Sequence, residues 1–184
     1  MTDIEGAVKI LKANGTVICP TDTVYGILAI ATSREALDKV FKIKKRDRKK
    51  PVPVFVKDIS SAKEIAEINE KKEKFLKKVW PGKITVILNS KKVLPKEFFG
   101  ETIGLRIPDN KTVKTILEKV GEPLTGTSAN ISGLPATGKI QEVLNQITAD
   151  YIIDKGDLKK SLPSTVVDFT SNNLKILRQG DFKI

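Results

Sequence analysis

Apolar positions along the chain switch repeatedly between a helical spacing and short continuous runs, the alternation expected of an α/β protein. Ile4, Ala7, Val8 and Leu11 fall on one helical face behind Thr2-x-x-Glu5, a capping-box pattern, and Gly15 is placed to end that helix. Short apolar runs predict strands at 16–19 and 26–30. Ser33 can cap a helix with Ala36, Leu37, Val40 and Phe41 inward, and a strand is predicted at 52–56. Ser60 or Ser61 then opens a charged helical region reaching Val79, broken by Trp80-Pro81-Gly82. Strands follow at Ile84–Leu88 and Ile103–Ile107, then a helix over Lys111–Val120 with Val113, Ile116, Leu117 and Val120 inward. A short apolar segment at Pro123–Leu124 enters a polar loop over 125–138; 139–147 reads as helical and 150–154 as extended. A hairpin pairing 165–169 with 174–178 through Ser171-Asn172-Asn173 ends the chain. With no repeat, linker or low-complexity tract, residues 1–184 are expected to form one α/β domain around a twisted, open, mixed sheet with flanking helices.

The apolar run Thr16-Val-Ile-Cys stops at Pro20, and Thr21-Asp22-Thr23-Val24-Tyr25-Gly26 then bunches two hydroxyls, a carboxylate and a phenol. A loop that only reverses the chain is built more simply from Gly, Asn and Ser. Polar groups gathered where a strand leaves an α/β core are where small ligands bind. Asp22 as a cap on the next segment is the plainer alternative.

Composition narrows the chemistry. The chain has no histidine, which removes the Ser-His-Asp triad, the Cys-His pair and the commonest general base. Cys19 is the only cysteine, so neither a disulfide framework nor a thiolate metal cluster is expected. No apolar run is long enough to span a membrane and no signal pattern opens the chain, which reads as cytoplasmic. What remains is chemistry by positioning and fixed charge, to which nucleotidyl and phosphoryl transfer are suited.

The formal net charge is +11, from 33 Lys and Arg against 22 Asp and Glu. Most of it is lysine interleaved with glutamate, as on a solvated helical face, and it also fits attraction of nucleotide or nucleic acid. The arginines discriminate better. Arg46 and Arg48 lie in the basic loop Lys44–Pro51, while Arg106 and Arg178 each close a short apolar strand. Arginine makes planar, two-pronged contacts to phosphate and carboxylate.

Four more segments share this character. Lys44-x-Arg46 with Lys50 suits a polyphosphate. In Thr102-Ile-Gly104-Leu-Arg106, strand alternation puts a hydroxyl, open backbone and a guanidinium on one face. Thr125-Gly126-Thr127-Ser128-Ala129-Asn130-Ile131-Ser132-Gly133 is dense in small donors yet matches neither the Walker A pattern nor Gly-x-Gly-x-x-Gly. Ser164 and Arg178 lie at opposite ends of the terminal hairpin.

Taken in register, Pro20–Gly26, Lys44-x-Arg46, Trp80-Pro81-Gly82-x-x-Thr85, Gly104-x-Arg106-x-Pro108, Ser128-Ala-Asn130-x-Ser132-Gly133, Ser164–Asp168 and Arg178-x-Gly180 resemble the YrdC/TsaC family of threonylcarbamoyl-AMP synthases over nearly the whole chain. The resemblance implies a YrdC-like fold with a basic concave face. It implies a nucleotidyltransferase that joins L-threonine, bicarbonate and ATP, with Mg²⁺, into L-threonylcarbamoyl-AMP and releases pyrophosphate. The product would serve a tRNA threonylcarbamoyl transferase complex in threonylcarbamoyladenosine modification. By the same matching, Lys44, Arg46, Ser128 and Asn130 correspond to the family's catalytic tetrad. ATP contacts fall on Arg46, Lys50, Thr102, Ser128, Ala136 and Arg178, and threonine contacts on Thr23, Phe55, Arg106, Gly126 and Ser164. No metal ligands are assigned beyond Asp22 as a weak candidate.

Three positions depart from the family pattern: Phe55 where histidine is common, Lys83 in place of a second proline, and Lys50 where a neutral polar residue is usual. The chain is expected to be the short form, without an extra C-terminal domain. Two other readings compete. A double-stranded RNA or tRNA binder without catalysis accounts for the charge but needs no carboxylate-directed Arg106. A carbamoyl-adenylate enzyme of the hydrogenase-maturation type calls for acylphosphatase-like and zinc-finger segments that this sequence lacks.

Overall fold

A computed structural model describes residues 3–183; the Thr2 half of the capping box lies outside them. Helix α1 (Asp3–Lys12) buries Ala7 and Leu11. Its stop differs from expectation: Asn14, with φ 58°, takes the left-handed position, and Gly15 donates back to the Ile10 carbonyl at 2.9 Å. That is a Schellman closure with Gly15 one place beyond the turn residue.

Strands β1 (Val17–Pro20) and β2 (Tyr25–Leu28) are antiparallel and buried throughout. Helix α2 (Arg34–Ile43) begins where Ser33 accepts from the Ala36 amide, and it buries the four residues assigned to its inner face. Strand β3 shortens to Val54–Phe55, because Pro51 and Pro53 supply no amide to a ladder.

The charged region assigned to one helix is two, α3 (Ile59–Ile65) and α4 (Glu70–Val79), capped by Asp58 and Asn69 rather than by Ser60 or Ser61. A long-range pairing makes the break: Ala66 bridges Ser90, and the Glu67 amide donates to the Asn89 carbonyl at 2.9 Å. Strands β4 (Ile84–Asn89) and β5 (Thr102–Arg106) are antiparallel. Helix α5 (Lys111–Val120) runs from an Asn110 cap to Gly121 at φ 79° and buries all four residues of its predicted stripe.

The loop at 125–138 begins with two short strands, β6 (Leu124–Thr125) and β7 (Thr127–Ser128). Helix α6 (Ile140–Leu144), β8 (Tyr151–Ile152), β9 (Thr165–Asp168) and β10 (Lys175–Arg178) complete the chain.

The expected single sheet is two open mixed sheets, ordered β7-β2-β1-β8 and β10-β9-β4-β5-β3-β6. The chain steps from one to the other at Gly126, since Leu124 and Thr125 pair with β3 while Thr127 and Ser128 pair with β2. A side chain at Gly126 has no room, because a Cβ there would lie 2.3 Å from the Phe55 ring. The step therefore brings the polar 127–130 segment beside the open face of β5.

Candidate active site

Strand alternation in β5 sorts its side chains as the sequence implies. Ile103 and Leu105 enter the largest apolar core, while Thr102, Gly104 and Arg106 line a cleft of about 480 Å³. From the first sheet and its connections the cleft takes Thr23, Arg46, Ser128, Asn130 and Ala136. The second sheet and the step between the two give Thr85, Gly126, Ser164 and Arg178. Three arginines and no carboxylate are among its lining residues.

Each arginine is anchored through the same two nitrogens. Arg46 donates from Nε to the Lys50 carbonyl (2.6 Å) and from Nη2 to the Pro51 carbonyl (3.0 Å). Arg178 donates from Nε (3.1 Å) and Nη2 (2.8 Å) to the Ser164 carbonyl. Arg106 donates from Nε to the Gly82 carbonyl (2.9 Å) and from Nη2 to Asp22 Oδ1 (2.6 Å). In all three, Nη1 has no hydrogen-bond partner among the described residues, so each guanidinium keeps one terminal nitrogen for a ligand. Burial lowers the pKa of all three guanidinium groups, and for Arg106 the Asp22 charge opposes this while Arg178 adds to it.

Sequence reasoning placed Ser164 and Arg178 at opposite ends of the hairpin. An antiparallel pair brings the start of its first strand to the end of its second, so the two are in contact. Ser164 also exchanges a hydrogen bond with Thr85, Oγ to Oγ1, at 3.0 Å. Thr85 and Thr127 are hydroxyl residues of the cleft missing from the site assignments; the signal for Thr85 was a hydroxyl inside the apolar run Ile84–Leu88, and Thr127 lies in the donor-rich loop already noted.

Lys44, Lys50 and Phe55 do not line the cleft. Phe55 is buried beneath it, with its ring 5.7 Å from the Arg106 guanidinium carbon, and it borders an adjoining recess of about 20 Å³ shared with Thr23, Arg106 and Gly126. The position that often holds histidine in the family is thus an aromatic floor under a cation. Lys50 is exposed and contributes its carbonyl to Arg46. Lys83, the other departure, pairs with Asp181 and reaches Ser161, tying the end of the chain to the turn before β4.

Lys44 is 1% exposed and sits behind the loop. Its Nζ donates to the Ser128 carbonyl (2.5 Å), the Asn130 carbonyl (2.9 Å) and Asn130 Oδ1 (3.1 Å), and Ser128 Oγ donates to the same Oδ1 at 2.7 Å. An ammonium has three N–H groups and all are spent here. Burial, aided by the Arg46 charge, pulls its pKa from 10.5 to about 8.

Because that folded value lies below the unfolded one, the unfolded chain binds more protons between pH 8 and 10.5, and this group's contribution to stability rises with pH there. The clamp behaves in the opposite sense, since a neutral amine has only two N–H groups for three acceptors. Ligand binding at Ser128 and Asn130 is therefore expected to weaken as pH passes about 8 while the melting temperature does not fall with it. Calorimetry with inorganic pyrophosphate as an anionic probe at pH 7 and 9, run beside melting curves, checks this; parallel losses contradict it.

The fold and the cleft define an α/β protein with an arginine-lined, hydroxyl-rich cleft whose chemistry suits small anionic ligands. Residues 9–180 match the Sua5_yciO_yrdC family model, described as "Telomere recombination". The chain belongs to this Sua5/YciO/YrdC family. A Methanocaldococcus jannaschii protein provisionally named threonylcarbamoyl-AMP synthase is 37% identical over 166 residues, covering 89% of this chain and 79% of that one. The structure of Pyrococcus abyssi Sua5 complexed with L-threonine superposes with a TM-score of 0.89 at 30% identity, over 98% of this chain and 55% of that one. Escherichia coli YciO, whose name states no activity, superposes with a TM-score of 0.85 at 26% identity, over 96% of this chain and 88% of its own. The chain spans about half the length (53%) of the Bacillus subtilis and P. abyssi threonylcarbamoyl-AMP synthases.

Proposed function

We propose that this chain synthesises L-threonylcarbamoyl-AMP from L-threonine, bicarbonate and ATP and releases pyrophosphate, supplying a tRNA threonylcarbamoyl transferase complex. The observation that carries the proposal is the convergence of Arg46, Arg106 and Arg178 with Thr23, Ser128, Asn130 and Ser164 on one cleft free of lining carboxylates. Membership of the family alone does not decide the activity, since YciO belongs to it too. The side chains in the cleft support the synthase reading.

In this reading the threonine amine adds to the carbon of bicarbonate with loss of water. A carbamate oxygen then forms a bond to the α-phosphorus as the α–β anhydride bond breaks. The nucleophile is already anionic, so a chain without histidine needs no strong base for the second step. The remaining need is to offset charge on the triphosphate, and Arg46 and Arg178, held by neutral carbonyl groups, keep their full charge for it. Arg106 takes the threonine carboxylate, and Thr23 and Ser164 supply partners for its hydroxyl. Lys44 holds Ser128 and Asn130 in place, and Lys50 extends the cationic rim.

Mg²⁺ enters as part of the nucleotide substrate. No cluster of three acidic, histidine or cysteine residues occurs among the described residues, and Asp22 is engaged by Arg106 and the Asp109 amide, so the described residues offer no ready-made set of ligands for the ion. The RNA-binding alternative is less well supported, because the arginines are set inside a cleft sized for a nucleotide.

Pyrophosphate release is expected to require ATP, threonine and bicarbonate together. Release that continues at the same rate without threonine defeats the proposal.

A further inference from the structure

The three arginines of the cleft are anchored alike, with one difference. Arg46 and Arg178 rest on neutral carbonyl oxygens, whereas Arg106 alone rests on a carboxylate. The Arg106–Asp22 pair is nearly closed to solvent, with side chains 4% and 6% exposed. Asp22 is in turn fixed from behind, its Oδ2 accepting from the Asp109 amide at 3.1 Å. Asp22 does not line the cleft, so it acts on a ligand only through Arg106.

Two consequences follow. With Nε on Gly82 and Nη2 on Asp22, the guanidinium has one orientation and presents only Nη1. With a buried counter-ion beside it, Arg106 also attracts a further anion less strongly than the other two do, because the opposing charges act at short range in a poorly screened site. A polyanion gains most where full charges are unopposed. A monocarboxylate with a hydroxyl can make up the deficit through Thr23 and Ser164.

We infer that Asp22 is a positioning and specificity-determining residue that divides the cleft by charge, steering polyphosphate to Arg46 and Arg178 and reserving Arg106 for the carboxylate of a small hydroxy amino acid. The inference rests on the reading of Arg106 as the carboxylate partner. It also gives a role to the Asp of Pro20-Thr-Asp-Thr-Val-Tyr-Gly26, which caps none of the described helices.

The test is calorimetry on the full chain with inorganic pyrophosphate and L-threonine as probes. In the native chain, saturating pyrophosphate leaves threonine affinity within about twofold. In Asp22→Asn the freed Arg106 accepts pyrophosphate, and threonine affinity falls about tenfold in its presence. Asp22→Glu keeps the counter-charge on a longer arm, so threonine binding weakens but stays insensitive to pyrophosphate. That variant decides the question if Asp22→Asn does not fold, since competition in Asp22→Glu overturns the inference. Pyrophosphate-insensitive threonine binding by Asp22→Asn, or competition in the native chain, overturns it as well. A native chain that binds no threonine defeats the synthase reading instead. The pyrophosphate titration then stands alone: Asp22→Asn must bind pyrophosphate about tenfold more tightly than the native chain, and equal affinities overturn the charge division.

Discussion

Replacing Arg106 by alanine is expected to lower threonine affinity by at least about 100-fold while ATP affinity changes by no more than about threefold. The asymmetry follows from the way the cleft is built. Arg46 and Arg178 are anchored independently of Arg106, through Lys50, Pro51 and Ser164, so the hold on phosphate proposed for them should survive the change. The threonine carboxylate loses its only proposed cationic partner.

The substitution also leaves Asp22 buried without its counter-ion, a cost of about 3–5 kcal/mol, so melting must be followed alongside binding. Arg106→Lys separates the two effects. It keeps a positive charge for Asp22 but lacks the fork that engages Gly82, Asp22 and a ligand together. It should therefore melt near the native temperature and still bind threonine poorly. Equal loss of threonine and ATP affinity in a folded Arg106→Ala chain contradicts the carboxylate role.

Gly180→Ala is expected to destabilise the fold by about 3 kcal/mol, lowering the melting temperature by roughly 6–12 °C for a chain of this size. A Cβ at Gly180 would lie 2.1 Å from the Pro163 carbonyl oxygen, 2.6 Å from the Thr165 amide nitrogen and 2.7 Å from the Ser164 carbonyl carbon. All three neighbours are backbone, so no side chain can swing aside. The Gly180 amide also donates to Thr165 Oγ1 at 3.0 Å, fixing the start of β9 and with it Ser164. Gly100→Ala is the control, because a Cβ there meets nothing within 4 Å. Thermal melts of the two variants with similar midpoints would contradict this account of Gly180.

These two predictions differ in how far they were legible in the sequence. Arg106 could be found because a strand has a period of two: once Ile103 and Leu105 are assigned to the core, Thr102, Gly104 and Arg106 must share the other face. Helix α5 was legible for a similar reason, as its cap, apolar stripe and terminal glycine all agree locally. The constraint at Gly180 comes from residues some fifteen positions away, and no local pattern announces it.

The same limit explains the split of the 60–79 region, where lysine and glutamate look helical throughout and a bridge from Ala66 to Ser90 decides otherwise. It explains the second sheet, since strand order is a property of pairing rather than of periodicity. It also explains why Asp22 read as a cap or a weak metal candidate. Its partner is 84 residues away, so nothing next to it in the sequence marks the carboxylate as half of a buried ion pair. Lys44 was visible as a charge but not as a clamp, because its three acceptors belong to a loop that folds back over it.

Mass spectrometry of the purified chain incubated with ATP, L-threonine and ¹³C-labelled bicarbonate tests the central claim most directly. A single shared cleft predicts one adenylate carrying the threonine moiety and the labelled carbon, formed together with pyrophosphate. An adenylate without the label, or ATP and threonine recovered unchanged from a folded chain, would contradict it.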